Sequence, residues 1–104
     1  MSRVHAVAAA LVLAAAASPA LANLALAQKH ACTACHAVDK KIVGPSYQDV
    51  AKKYATQKDA AAALAASIKA GGAGKWGPVP MPAQPALSDA DLKTLAAWIL
   101  GGAR

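Results

Sequence analysis

The sequence is poor in aromatic side chains. Two Trp and two Tyr are the only aromatic residues among 104, and Phe is absent. Proteins that bind single-stranded nucleic acid stack its bases on aromatic rings along a basic groove. So few rings form no such platform, which argues against this class of partner.

The sequence also lacks the pattern of β-structure. No stretch shows the sustained alternation of β-branched residues that predicts strands, and no internal repeat is present. Four segments carry helical periodicity instead. The fold is therefore predicted to be all-α.

No apolar run is long enough to cross a membrane, which takes about 20 residues. The N-terminal run, residues 6–17, follows Arg3 and precedes an A-x-A site at 20–22, an order typical of a cleaved signal peptide. We therefore expect residues 1–22 to be removed. Residues 23–104 are then expected to form one small periplasmic domain, without stable membrane insertion.

The predicted mature chain is small and basic. It has 82 residues (104 minus 22), and its ten Lys and Arg against five Asp leave a formal charge of +5. Such a charge favours acidic partners or nucleic acid, and export to the periplasm argues against nucleic acid. A chain this short has a modest core of its own, so a further component is expected to stabilise it.

The two predicted helices of the N-terminal half are short. The first is expected from about Leu24 into residues 32–36. The second follows Pro45 and Ser46 and runs to Tyr54, since proline is tolerated at a helix start.

The two later helices have clearer signals. The third, about residues 59–70, is rich in alanine and ends at a Gly-Gly pair. The fourth begins after Ser88, a good N-cap with Asp91 three residues on, and stops at Gly101. It places apolar side chains at core-facing spacing: Leu92, Leu95, Ala96 and Ile99.

The segment between the last two helices, residues 71–87, is rich in glycine and proline. A loop this long in a small domain is normally functional or disordered. Trp76, Val79 and Met81 make it too apolar for a solvated linker. We therefore expect it to wrap around something buried.

Cys32, Cys35 and His36 form a C-x-x-C-H sequence, the attachment pattern of c-type haem. Two thiols at this spacing each form a thioether with a haem vinyl group, and the next residue becomes the proximal iron ligand. A thiol-disulfide motif is an alternative, but such motifs lie in a βαβ context that is lacking here. Zinc needs about four ligands, which this segment supplies poorly.

Met81 is the only methionine in residues 23–104 and the leading candidate for the second axial ligand of the iron. Pro80 and Pro82 flank it and stiffen the loop that would hold its thioether. The other possible donor is His30. It precedes Cys32 by two residues and is expected on the proximal side, as an exposed helix residue.

These residues resemble the small bacterial class I cytochromes c of the cytochrome c-551 type. The resemblance covers nearly all of residues 23–104. Its matching segments are ACTACHA at 31–37, VGPSY at 43–47, DVA at 49–51, KWGPVPMP at 75–82, and a final helix that begins with SD at 88 and ends with WIL at 100.

The resemblance implies about four helices wrapped around one covalently bound haem c, and roles for two further residues. The Pro45 carbonyl would accept a hydrogen bond from Nδ1 of His36. The indole of Trp76 would donate one to a haem propionate.

Two departures from the usual pattern of these cytochromes matter, one at Ala27 and one at Ser67. Ala27 replaces an aromatic residue that packs on the last helix, and Trp98 is expected to fill that space. Ser67 stands where a basic side chain near the inner propionate is common. Gln84 stands where an amide near the methionine sulfur is usual.

Full axial ligation predicts a one-electron carrier and not an enzyme. By the resemblance, a membrane respiratory complex donates the electron and a terminal reductase or oxidase accepts it, with the protein acting as a monomer. Exposed lysines would guide docking on acidic partners, namely Lys29, Lys40, Lys41 and Lys75. An enzyme or sensor with five-coordinate iron and a thiol-disulfide protein are the alternatives.

Overall fold

A computed structural model describes residues 19–104, so residues 1–18 of the predicted signal peptide lie outside the described part of the chain. Four α-helices follow one another: α1 (Pro19–Lys29), α2 (Tyr47–Tyr54), α3 (Ala60–Ala70) and α4 (Asp89–Leu100). A short 3-10 turn at Cys32–Ala34 separates α1 from α2. The described residues contain only isolated β-bridges and no strand, which confirms the all-α prediction.

The N-cap predicted at Ser88 is confirmed for α4, and α2 begins directly after Ser46, as predicted, with Ser46 as its cap. The backbone N–H of Asp49 donates to Oγ of Ser46 at 3.0 Å, and that of Asp91 donates to Oγ of Ser88 at 3.1 Å. Each serine satisfies an N–H group that the first helical turn leaves free. Each aspartate also places negative charge near the positive end of the helix dipole.

Helix α3 ends as predicted at Gly71, whose φ of 64° is in the left-handed region. Its start differs slightly, because Asp59 precedes the helix without capping it through its side chain.

Helix α1 corrects the first helix prediction. It begins at Pro19 instead of near Leu24 and ends at Lys29, so it does not run into residues 32–36. Ala31 has a φ of 60°, a left-handed conformation that an α-helix does not contain. This reversal lets the next residues start a separate 3-10 turn.

The core lies around α4, which packs against α1, α2 and α3. Leu95 and Ala96 are almost fully buried, and Trp98 is 5% exposed. Side chains of the other helices join them, including Ala27, Val50, Leu64 and Ile68. Within residues 19–104 no helix combines the length and apolar character needed to cross a membrane.

Candidate cofactor site

A cavity of about 400 Å³ opens between the helices and the two loops that flank α2 and α3. This volume lies within the range of about 300–1,000 Å³ found for ligand sites. Core residues of α2, α3 and α4 form its apolar wall, among them Val50, Leu64, Ile68 and Leu95. The cavity therefore occupies much of what would be the centre of the domain.

The C-x-x-C-H segment lines this cavity with Cys32, Cys35 and His36. The carbonyl of Cys32 accepts hydrogen bonds from the backbone N–H groups of Cys35 at 3.2 Å and His36 at 3.0 Å. These bonds fold the segment into one compact turn, which brings both thiols and the imidazole to the same cavity.

The chemistry of Cys32 disfavours thiol-disulfide exchange. Burial raises the pKa of its thiol, and a backbone hydrogen bond only partly opposes this effect. Exchange-active cysteines have lowered pKa values because the thiolate is the attacking species. Cys32 is thus kept as a neutral thiol.

The His36 ring is held in one orientation. Its Nδ1 lies 2.7 Å from the carbonyl oxygen of Pro45. Because a carbonyl only accepts, Nδ1 carries the proton, and Nε2 keeps a lone pair free for a metal. The ring also stacks on Tyr47, with centroids 5.6 Å apart. The Pro45 contact expected from the sequence resemblance is therefore present.

Gly44 gives the His36 ring its space, a role that the sequence did not reveal. A Cβ at residue 44 would lie 2.5 Å from Cε1 and 2.9 Å from Nδ1 of His36. In the sequence, the only hint of this role was that Gly44 precedes Pro45. Nothing in the local sequence shows that the His36 ring packs on the backbone of Gly44.

Replacing Gly44 with alanine is expected to displace the His36 ring and to cost about 1–3 kcal/mol of stability, as overpacking does in a tight site. Chemical unfolding of the cofactor-loaded protein measures the loss. The matched control is Gly101→Ala, whose Cβ would meet its nearest atom, the carbonyl oxygen of Ala97, only at 3.4 Å. Equal stabilities of the two variants would refute this role.

Met81 reaches the cavity from the long loop, as the sequence predicted for that segment. Its backbone forms a two-bond bridge with Gly72, with N–H to oxygen pairs at 2.7 and 3.0 Å. Gly71 makes the approach possible, since a Cβ there would lie 2.5 Å from the Met81 carbonyl oxygen. The glycine pair thus both ends α3 and fastens the loop that carries Met81.

Trp76 also lines the cavity but stays 39% exposed. The ammonium group of Lys53 lies 4.4 Å from the centroid of its ring, within range of a cation–π interaction. Lys53 donates as well to the carbonyl of Lys75 at 3.1 Å. The indole is therefore held at the edge of the cavity by α2.

Lys75, Tyr54 and Ser67 form a polar cluster on the cavity wall. Nζ of Lys75 donates to Oη of Tyr54 at 2.9 Å and to Oγ of Ser67 at 3.3 Å. Burial raises the pKa of Tyr54, but the hydrogen bonds from Lys75 and Ser67 and the charges of Lys75 and Lys53 outweigh it, so the pKa is lowered. The cluster is a locally positive spot in an apolar cavity.

Two of the buried polar atoms without a hydrogen-bond partner in the described residues belong to the cavity wall, Oη of Tyr47 and Nε1 of Trp98. The two rings pack together with their centroids 5.1 Å apart. Burial, and secondly repulsion from Cys32 in its thiolate form, raises the pKa of Tyr47 to about 12. Both groups are therefore neutral donors that an acceptor on a bound molecule can satisfy.

Two expectations are corrected. His30 is not an exposed helix residue, because it follows the end of α1 and its Nε2 is buried. It does not line the cavity. Gln84 does not line the cavity either, and its amide donates instead to the Pro82 carbonyl at 3.4 Å.

The cavity fits a haem group. It combines two thiols, an imidazole with a free Nε2, a thioether, an apolar wall and polar donors. Within residues 19–104 no cluster of three or more His, Cys, Asp or Glu side chains could hold a metal ion by itself. The donors are thus suited to an iron held in a macrocycle and not to zinc.

Comparisons with known proteins agree with this fit. Residues 23–103 match the family Cytochrome c. Cytochrome c-551 of Allochromatium vinosum is 54% identical over 82 residues, which cover 79% of this chain and 87% of that protein. Cytochrome c-552 of Hydrogenobacter thermophilus is 57% identical over 79 residues, which cover 76% of this chain and 80% of that protein.

A solved structure shows the same fold. The crystal structure of wild-type Nitrosomonas europaea cytochrome c552 aligns with a TM-score of 0.74 and 52% identity, over 76% of this chain and 98% of that chain. The motif Cys32, Cys35 and His36 accordingly accompanies one covalently bound haem c. The chain belongs to the cytochrome c family, as a class I cytochrome of the c-551 type.

Proposed function

We propose that this protein is a periplasmic monohaem cytochrome that carries one electron at a time and catalyses no reaction itself. The observation that carries this proposal is that His36, fixed by Pro45, and Met81, fixed by Gly72, line one cavity. A membrane respiratory complex is the electron donor and a terminal reductase or oxidase the acceptor.

Each donor on the cavity wall has a role in this proposal. When bound, the haem supplies an iron that changes between Fe(II) and Fe(III). Cys32 and Cys35 would anchor the group through thioether bonds, and His36 would bind the iron through Nε2. Met81 would bind it through its sulfur. A soft thioether favours Fe(II) and so raises the reduction potential.

Pro45 and Trp76 act on the ligands and the rim. By accepting from Nδ1 at 2.7 Å, the Pro45 carbonyl orients the imidazole and makes Nε2 a stronger donor. Trp76, held at the cavity edge by Lys53, donates its indole N–H to a propionate. His36 and Met81 would both hold the iron, and a protein that used both ligands in this way would carry electrons without binding a substrate there.

The rim of the cavity suits brief contact with redox partners. The exposed large apolar side chains of the described residues are Ile42, Val43, Trp76 and Val79, and the last three line the cavity. Lys40 and Lys41 are exposed in the adjacent loop. Apolar surface that is rimmed by charge is typical of interaction sites, and lysines speed encounter with acidic partners. Such brief contacts need only a monomer.

We also propose that residues 1–22 are the export signal and that the mature domain begins at Asn23. Support comes from the order of charge, apolar run and A-x-A site in the sequence. The family match begins at residue 23 as well. Haem attachment then takes place in the periplasm.

Expression with periplasmic maturation machinery tests the proposed function. The product is expected to start at Asn23, to contain one covalent haem by mass, and to show the absorption band of methionine bound to Fe(III). A redox titration should follow a single one-electron curve. Absence of covalent haem would favour a thiol-disulfide protein, and haem without the methionine band would favour a five-coordinate enzyme or sensor.

A further inference from the structure

The ammonium group of Lys75 is held on the cavity wall by two neutral hydroxyl groups. Its Nζ lies 2.9 Å from Oη of Tyr54 and 3.3 Å from Oγ of Ser67. These two hydroxyls lie 3.4 Å from one another. Three elements meet at this point, since Tyr54 ends α2, Ser67 lies in α3 and Lys75 lies in the loop after α3.

Within residues 19–104, no carboxylate forms a salt bridge with this ammonium group. The salt bridges within residues 19–104 join Lys52 to Asp49 and Lys69 to Asp89. The cavity wall contains no acidic residue, but it contains two lysines, Lys41 and Lys75. Lys75 is exposed, so solvent screens its charge, but the two hydroxyl groups hold its ammonium group at the cavity wall. An anionic group on the molecule that fills the cavity is therefore the available partner for this ammonium group.

We propose that Lys75 is a positioning residue that pairs with a propionate carboxylate of the haem, in place of a basic side chain at Ser67. The proposal rests on the haem arrangement described under Proposed function. It explains why Ser67 is tolerated: the ammonium group of Lys75 occupies the space beside Oγ of Ser67, having reached it from the loop. Tyr54 fixes its position from α2.

The pairing has a definite electrostatic effect. A cation within about 4–6 Å lowers the pKa of a carboxyl group by roughly 1–3 units. It also opposes the gain of positive charge when Fe(II) becomes Fe(III), so it raises the reduction potential. Removing the cation should therefore lower the potential and move the pH dependence of the potential, which reports propionate ionisation, to higher pH.

The other charged and titratable groups near Lys75 differ from it in position or in chemistry, so their effects can be told apart from that of Lys75. Lys53 lies over the outer ring of Trp76, and its Nζ donates to the backbone of Lys75. Lys41 lies in an exposed loop on another part of the cavity wall. Tyr54 accepts a hydrogen bond from Nζ of Lys75, and its pKa is lowered because the hydrogen bonds from Lys75 and Ser67 and the nearby lysine charges outweigh burial.

The test measures reduction potential against pH for the haem-loaded protein. Lys75→Gln should lower the potential and shift its pH-dependent inflection upward by about one unit or more. Lys75→Arg should keep both values. The control is Lys93→Gln, which removes the same charge from an exposed site on α4 away from the cavity.

A second variant separates the charge from any structural effect. Adding Ser67→Arg to Lys75→Gln puts a basic side chain back at the same spot from α3, and it should restore the inflection to its original pH. If Lys75→Gln behaves like Lys93→Gln, or if the double variant restores nothing, Lys75 does not pair with a propionate. The methionine band of the unmutated protein reports on the proposed function separately, so the two failures are distinguishable.

Discussion

Replacing Cys35 with alanine is expected to remove most of the holoprotein obtained from periplasmic expression, with little folded protein in its place. Cys35 lines the cavity beside Cys32 and His36, and one of the two covalent anchors is lost. A haem held by a single thioether bond is lost more readily during maturation. Its loss leaves the cavity of the domain empty.

The size of the cavity explains why the domain should not fold once the haem is lost. Without the haem, the apolar side chains that line this open cavity of about 400 Å³ lose the surface on which they would pack. Small domains are stable by only about 5–15 kcal/mol in total. The apo domain therefore has little or no stability left.

Haem content by mass and helix content by circular dichroism measure this outcome. Thr33→Ala is the matched control, because Thr33 lies between the two cysteines but offers no thiol. That variant should give normal holoprotein. A normal yield of helical Cys35→Ala protein with haem attached as in the parent would end the assignment of Cys35.

Replacing Met81 with alanine is expected to open the distal side of the iron and to lower the reduction potential by at least about 59 mV, a tenfold change for one electron. The Met81 sulfur is the proposed stabiliser of Fe(II). Added cyanide should bind at least about tenfold more tightly, and the methionine band of the oxidised protein should disappear. Peroxidase-like activity is expected to accompany the open site.

Val79→Ala provides the control for Met81→Ala. Val79 lies in the same loop, also lines the cavity and is 59% exposed, but it has no atom that binds iron. Its variant should keep the band, the potential and the resistance to cyanide. An unchanged potential and unchanged cyanide binding in Met81→Ala would mean that Met81 does not bind the iron, and the carrier mechanism would fail.

The helices show how far local patterns reach. Ser46, Ser88 and Gly71 marked the helix boundaries correctly, because capping depends on hydrogen bonds within about four residues. The end of α1 was predicted wrongly. Ala31 has no left-handed preference of its own, so nothing in the local sequence showed that the helix ends at Lys29.

In the candidate site, too, some residues could be predicted from the sequence and others could not. The spacing of Cys32, Cys35 and His36, with Met81 as the only methionine of residues 23–104, pointed to haem before any contact was known. The packing of His36 on Gly44 and the reach of Lys75 to Ser67 were not visible. The sequence therefore located the groups that bind, but not the groups that orient them.

By itself, the sequence determined the helical class, most helix ends and the chemistry of the cofactor attachment. These properties follow from periodicity, caps and a five-residue motif, all of which act over short distances along the chain. The tertiary structure alone decided that the Met81 loop fastens to Gly72 and that three elements meet at Lys75. Such contacts depend on how the helices pack around the cavity, and side-chain positions set by packing are not encoded in any local pattern.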